Sequence, residues 1–325
     1  MIFSRAPFRI TLAGGGTDLP AFYKKHGATF LSCAIDKYIY VGFRKRTFEK
    51  EARVQYLDCE NVVNVSLLKH TRARACLESF GYSEGVEVIS SADLSAKSGM
   101  GSSGAYIVAL LACLNHHKGL KISPEEIAAE ACRIEMDVLR EPVGKQDQYI
   151  SSLGSITQFH IDKFGTVSSS QLNLADDLIA ELEKNCMIFY TGVQRDASSV
   201  LKSQQQTIQK DDSSMLAIQE IGIETITAIK TGNLDKFGRL MHEHWLEKKK
   251  LSKDVTINKF DLIYKALVES EKILGGKIIG AGGGGFLMVY VPSNHKKIED
   301  EMNLLGFPKL NWKVSHTGVS IGNWF

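Results

Sequence analysis

Residues 93–104 read Asp-Leu-Ser-Ala-Lys-Ser-Gly-Met-Gly-Ser-Ser-Gly, and an almost wholly apolar run follows to Leu114. Gly99 and Gly101 supply backbone angles closed to other residues and let a ligand approach the main chain. Ser102 and Ser103 fall where a helix begins, so free N–H groups point outward at the positive end of its dipole. That combination makes a phosphate cradle. Standing alone, the stretch would read as a Ser/Gly turn that caps a helix; its company elsewhere in the chain argues otherwise. Gly99-Met-Gly-Ser-Ser-Gly104 matches G-x-G-x-x-G literally, but a dinucleotide loop needs a strand running into its first glycine and an acid about 20 positions on. The strand expected at 86–90 ends well before Gly99, and a Lys/Gly/Pro turn occupies the later region. The Walker pattern G-x-x-x-x-G-K-[ST] is absent.

Two further glycine clusters lie far away in sequence. Residues 3–20 form a strand that breaks into Gly14-Gly-Gly16-Thr-Asp18, with Arg9 on the strand and Asp18 just past the turn. Such a loop closes its backbone around a polar ligand; a hairpin turn capped by Asp18 is the competing local reading. Gly280-Ala-Gly-Gly-Gly-Gly285 sits between short strands expected at 277–279 and 286–291. Four consecutive glycines there imply either a backbone that something approaches closely or a flexible hairpin.

The helix expected at 102–117 is apolar on nearly all sides and should be buried. Ser123-Pro-Glu-Glu126 then opens a second helix, expected to reach about Arg140, with Ser123 as N-cap and Glu126 closing a capping box. Its apolar arc holds Ile127, Ala131, Ile134 and Val138, and Glu135 sits in the middle of that arc. A buried carboxylate needs a cation or strong donors beside it. A structural salt bridge would satisfy it; a metal-ligand role is favoured because a phosphate loop opens the preceding helix. Pro142 and Gly144 stop the helix, which places Asp147 in or just after a loop.

The remaining pattern mixes strands (29–35, 38–44, 53–56, 62–65, 155–161, 186–190, 312–315) with helices (67–80, 197–207, 215–230, 234–251, 259–274, 296–305). Residues 166–182 are expected to divide two domains. His242-Glu-His244 lacks the H-E-x-x-H spacing of a zinc helix. At 325 residues and a formal charge of +2, the chain has room for a large core and no electrostatic reason to bind nucleic acid or a membrane surface. The apolar run 104–114 is too short to span a bilayer, and the N-terminus lacks a signal-peptide pattern. Six scattered cysteines with no C-x-x-C pair suit buried thiols in the cytoplasm. Oligomeric state is left open.

Three motifs in this order resemble the superfamily of galactokinase, homoserine kinase, mevalonate kinase and phosphomevalonate kinase, the GHMP kinases: Arg5-Ala-Pro-Phe-Arg-Ile with Gly-Gly-Gly-Thr-Asp18, Lys97-Ser-Gly-Met-Gly-Ser-Ser103, and Gly280–Gly285. The first motif departs from galactokinases, which carry Gly-Glu-His before Thr-Asp. That variant, with Tyr190-Thr-Gly-Val-Gln-Arg195-Asp-Ala-Ser-Ser, resembles the bacterial heptose-phosphate kinases; bifunctional fucose-salvage enzymes share the variant but are longer. The resemblance implies a two-domain α+β fold, with an N-terminal domain (1–175) like the second domain of ribosomal protein S5 and a ferredoxin-like C-terminal domain (176–325). It implies ATP on Lys97, Ser98, Gly99, Met100, Gly101, Ser102 and Ser103, and Mg²⁺ on Ser102 and Glu135. It makes Asp147 the group that orients or deprotonates the acceptor hydroxyl, and Arg9 its electrostatic partner. Gly16, Thr17 and Asp18 would hold the sugar, Gly283 would close over it, and Arg195 would meet its phosphate. The implied reaction phosphorylates the anomeric C1 hydroxyl of D-glycero-D-manno-heptose 7-phosphate, for nucleotide-heptose and surface-polysaccharide synthesis. The alternatives are a kinase for a fucose-, mannose- or galactose-type sugar, and a non-catalytic sensor, which should have lost the base, the cation or the metal ligand.

Overall fold

A computed structural model of the chain describes residues 1–193, 197–256, 258–270 and 272–322. Strand β1 (Ile2–Ala13) buries Ala6, Phe8, Ile10 and Leu12, the alternate positions that share one face of a strand. It pairs antiparallel along β2 (Ala28–Lys45), with register shifts at Pro7/Phe8 and Thr11/Ala13. The two strands expected at 29–35 and 38–44 are therefore one continuous strand. Its first half pairs with β6 (Ile156–Ile161) and its second half with β5 (Val86–Ala92). The sheet runs β12 (Ser320–Ile321), β1, β2, β5, β3 (Ala52–Gln55), β4 (Cys59–Val62), with β7 (Val167–Gln171) beside β6. A second sheet, antiparallel throughout, runs β11 (Lys309–Leu310), β8 (Cys186–Tyr190), β10 (Phe286–Tyr290), β9 (Gly275–Ile278).

Helix α1 (Pro20–His26) follows the first glycine turn, and α2 (Thr71–Ser79) precedes β5. The expected central helix is α3 (Ser102–His117), buried continuously from Gly104 to Asn115. Helix α4 (Pro124–Arg133) has both arms of its capping box. It then passes into a π turn at Ile134–Val138, a local widening that recurs at functional sites. The loop expected around Asp147 is instead the first turn of α5 (Gln146–Leu153). The chain does break at Pro142 and Gly144, but it restarts at once. The buried residues of α5 mix Tyr149 and Ile150 with Gln146, Gln148, Ser151 and Ser152, four polar side chains that each make a hydrogen bond, so no apolar period announces it.

The stretch 166–182, expected to divide the domains, contains β7 and the start of α6 (Asp176–Asn185). The helices α7 (Ala197–Lys210), α8 (Ser213–Lys230), α9 (Leu234–Leu251), α10 (Asn258–Glu269) and α11 (His295–Leu304) complete the second half. The strand expected at 312–315 is reduced to a single bridge, Val314 to Ile35, and β12 pairs with β1. The chain end thus returns to the first sheet. The largest core cluster includes Phe8 and Ile10 from one sheet and Met288 and Tyr290 from the other, so the two halves share packing.

Candidate active site

The amino end of α3 opens on a cleft of about 820 Å³ lined from both halves. Gly101 caps the helix in the left-handed region, at φ +80°, and no side chain closes the helix end. Its first N–H groups are therefore free for an anion. Glycine is required here: a Cβ on Gly101 would stand 3.2 Å from Arg9 Cγ and 3.2 Å from Asp147 Cγ. Of the expected nucleotide residues, Lys97, Gly99, Gly101, Ser102 and Ser103 line the cleft. Ser98 and Met100 are buried behind it, and the Met100 carbonyl accepts the Arg9 N–H at 3.1 Å.

The third glycine cluster braces this loop. A Cβ on Gly99 would meet the Ile279 carbonyl at 2.7 Å, one on Gly280 the Gly99 carbonyl at 2.5 Å, and one on Gly285 the Ser98 carbonyl at 2.2 Å. What approaches these glycines is the phosphate loop itself. Gly283 does not reach the cleft; it is buried and donates its N–H to Val255 O at 2.7 Å. Only Gly280 and Ala281 of this cluster form cleft wall.

Arg9 joins three elements. Its Nε donates to Asp147 Oδ1 at 2.7 Å and its Nη1 to the Gly99 carbonyl at 2.6 Å. The guanidinium is almost wholly buried, while the Asp147 side chain stays 28% exposed, toward the cleft it lines. Beside them, Thr11 Oγ1 donates to Gln146 Oε1, and the Gln146 N–H donates to Asp18 Oδ2 at 3.0 Å. Burial, above all, pushes the Asp18 carboxyl above its ordinary pKa. Gly16 also forms cleft wall. Thr17 does not: it is fully buried and its hydroxyl turns back to the Gly14 carbonyl at 2.7 Å, so it shapes the turn instead of touching a ligand.

Glu135 is fully buried behind α3, as its place in the apolar arc predicted. Its Oε1 accepts from Arg72 Nε at 3.2 Å and its Oε2 from Gln148 Nε2 at 2.5 Å. The hydroxyl hydrogen-bonded to it is that of Ser103, the neighbour of Ser102, and both serines line the cleft. Arg72 is shared with Glu141, so one cation faces two carboxylates, and burial raises the Glu135 pKa. Hard oxygen donors with an uncompensated negative charge fit Mg²⁺, which commonly takes one or two carboxylates and completes its shell with phosphates and water. Among the described residues no group of three or more His, Cys, Asp or Glu forms a closed metal cage.

Sequence reasoning missed two further cations of the cleft. Lys248 of α9 and Lys277 of β9 line the cleft at 7% and 3% exposure, with His244 beside them. Lys248 Nζ donates to the Gly280 carbonyl, and Lys277 Nζ donates to the Leu12 carbonyl at 3.3 Å. Arg195, expected on a sugar phosphate, lies outside the described residues.

Residues 66–155 match the model of the GHMP kinases N terminal domain, and residues 225–306 match that of the GHMP kinases C terminal. The chain belongs to the GHMP kinase superfamily. It is accordingly a phosphotransferase with an alcohol group as acceptor, of a family that uses ATP and typically Mg²⁺. A D-glycero-alpha-D-manno-heptose 7-phosphate kinase of Campylobacter jejuni is 24% identical over 308 residues, covering 91% of each chain. An L-fucokinase/L-fucose-1-P guanylyltransferase of Bacteroides fragilis is 24% identical over 88% of this GHMP kinase, which spans 34% of that longer protein. Among solved structures, one described as a D-glycero-D-manno-heptose 1-phosphate kinase from Bacteroides thetaiotaomicron superposes with a TM-score of 0.82 at 22% identity, covering 100% of both chains. A Lactococcus lactis galactokinase with galactose superposes at 0.74 and 17% identity, covering 98% of this chain and 94% of that one. The two-domain α+β fold expected from the motifs is the fold of these structures.

Proposed function

We propose that this kinase transfers the terminal phosphoryl group of ATP to the anomeric hydroxyl of D-glycero-D-manno-heptose 7-phosphate, giving the 1,7-bisphosphate for nucleotide-heptose and surface-polysaccharide synthesis. The observation that carries the chemistry is the Arg9–Asp147 pair at the open end of α3. Asp147 accepts the hydrogen of the attacking hydroxyl and holds its oxygen in line with the bound nucleotide. Arg9 sets that carboxylate and offsets the negative charge that gathers during transfer. Lys97 and the free N–H groups of α3 take the phosphates, Gly16 frames the sugar and Asp18 binds one of its hydroxyls. Glu135, with Ser102 and Ser103, would hold Mg²⁺, which supplies charge neutralisation on the nucleotide. The heptose phosphate is chosen on the Campylobacter jejuni relative, matched along 91% of both chains. A cytoplasmic setting is supported by six free cysteines, five of them buried; no described helix is long and apolar enough to cross a membrane.

The test is an ADP-release assay across free sugars and sugar phosphates, with heptose 7-phosphate included. The highest kcat/KM is expected with the heptose phosphate. A strong preference for an unphosphorylated sugar would reject that acceptor and favour the second reading, a fucose-type kinase, to which the Bacteroides fragilis relative points.

A further inference from the structure

Two buried cations line the cleft beyond Arg9 and Lys97, and the fold keeps them at some expense. Lys248 and His244 lie four residues apart on α9 and so share a face. Lys277 comes from β9, the edge strand of the second sheet that packs against α9. All three side chains are more than nine-tenths buried and all three line the cleft. Each ammonium carries three donors, and each is engaged with a single carbonyl. Among the described residues neither lysine has a carboxylate within salt-bridge reach. Neither ring nitrogen of His244 makes a hydrogen bond of normal geometry, although the Gly15 backbone lies beside the ring. The charges that face the group are Arg9, already committed to Asp147, and Asp18; the Cys186 thiol lies behind Lys277. Two ammonium groups thus stand against one carboxylate in a nearly dry wall. Burial draws Lys248 down to about 8 and Lys277 to about 7, the second with help from the first. Cations held this way lack an anion, and a phosphate supplies one with acceptors for every unused donor.

We propose that Lys248, Lys277 and His244 form the receptor for the acceptor's own phosphomonoester, the phosphate that is not transferred. The inference rests on reading the protein as a sugar-phosphate kinase, and it makes this receptor the element that selects a phosphorylated over a free sugar. On the proposed reading ATP is held by α3 and Lys97, which line the same cleft. Asp18, which faces Lys248, is placed for the sugar between the two.

The deciding experiment compares wild type with Lys277→Met and Lys248→Met on a matched pair, heptose 7-phosphate and the same heptose without phosphate. Each variant should lose about 100-fold in kcat/KM on the phosphorylated sugar, mainly through KM, and under about threefold on the free sugar. The KM for ATP should stay unchanged, and Lys277→Arg should recover part of the loss. An equal loss on both sugars would overturn the proposal, because it would assign the lysines to the transferred phosphoryl or to folding. The two lysines sit on different elements, so failure of one variant to fold leaves the other to report. A second measurement separates this receptor from the choice of sugar. Inorganic phosphate is titrated by calorimetry into protein saturated with magnesium and a non-hydrolysable ATP analogue. Binding that vanishes in Lys277→Met supports the receptor even if wild type rejects heptose 7-phosphate. No binding to wild type, or binding that survives the substitution, overturns it.

Discussion

Arg9 reaches the phosphate loop through the Gly99 carbonyl and the first turn of α5 through Asp147. One side chain on the first strand therefore ties the loop and the carboxylate together, and Asp147 is the part of this pair exposed to the cleft. Replacing Asp147 with Asn keeps size and an oxygen for Arg9 but removes the proton acceptor. General-base loss of this kind costs about 10²–10⁴-fold, so kcat should fall by roughly 10³. Nucleotide affinity, measured by calorimetry, should change less than about threefold, since α3 and Lys97 are untouched. At this scale Glu135 was legible: a lone acid inside an apolar arc must be buried. Its partner was not, because Arg72 stands 63 residues away and only folding brings it there. Lys248 was hidden differently. It begins a Lys-Lys-Lys run that reads as a solvated helix end, yet Lys248 is buried and Lys250 is exposed.

At the scale of elements, α3 and α4 could be read directly, since one is apolar all round and the other carries a capping box. Helix α5 could not, because four of its six buried residues are polar. Nor could the packing of α9 against β9, where β9 is four buried residues whose only long side chain of charge is Lys277. That packing predicts a pH dependence. Lys277 has an ordinary pKa of 10.5 in the unfolded chain and about 7 in the fold, where burial above all, then Lys248 and Arg9, oppose its charge and Cys186 favours it. Between those values the unfolded state holds the proton that the folded state has released, so stability rises with pH across the window. The contribution is at most about 1.4 kcal/mol per pH unit for one proton. Urea unfolding of wild type and Lys277→Met at pH 7, 8 and 9 isolates it: the difference, wild type minus variant, should grow with pH. A difference that stays flat or shrinks would mean that Lys277 is charged in the fold at little cost.

The whole molecule is built so that both halves line the cleft. The cleft takes α3 and α5 from one half and α9, β9 and Gly280 from the other, while β12 carries the chain end back to β1. The main core cluster crosses the same divide. The glycine motifs made the fold class legible, but they did not reveal this interlock, because the returning strand is only two residues long and has no pattern to read. Domains that share a core and a closing strand lose their separate stabilities, so calorimetry should show one unfolding transition instead of two. A ligand at 100 times its Kd adds about 2.7 kcal/mol to the native state. For a chain of this size that moves the midpoint by roughly 5 °C. The magnesium–nucleotide complex alone and the sugar phosphate alone should each shift the entire transition, and together they should shift it further. A second transition that neither ligand moves would show that part of the protein unfolds independently of the cleft, and that the shared core does not couple the two halves.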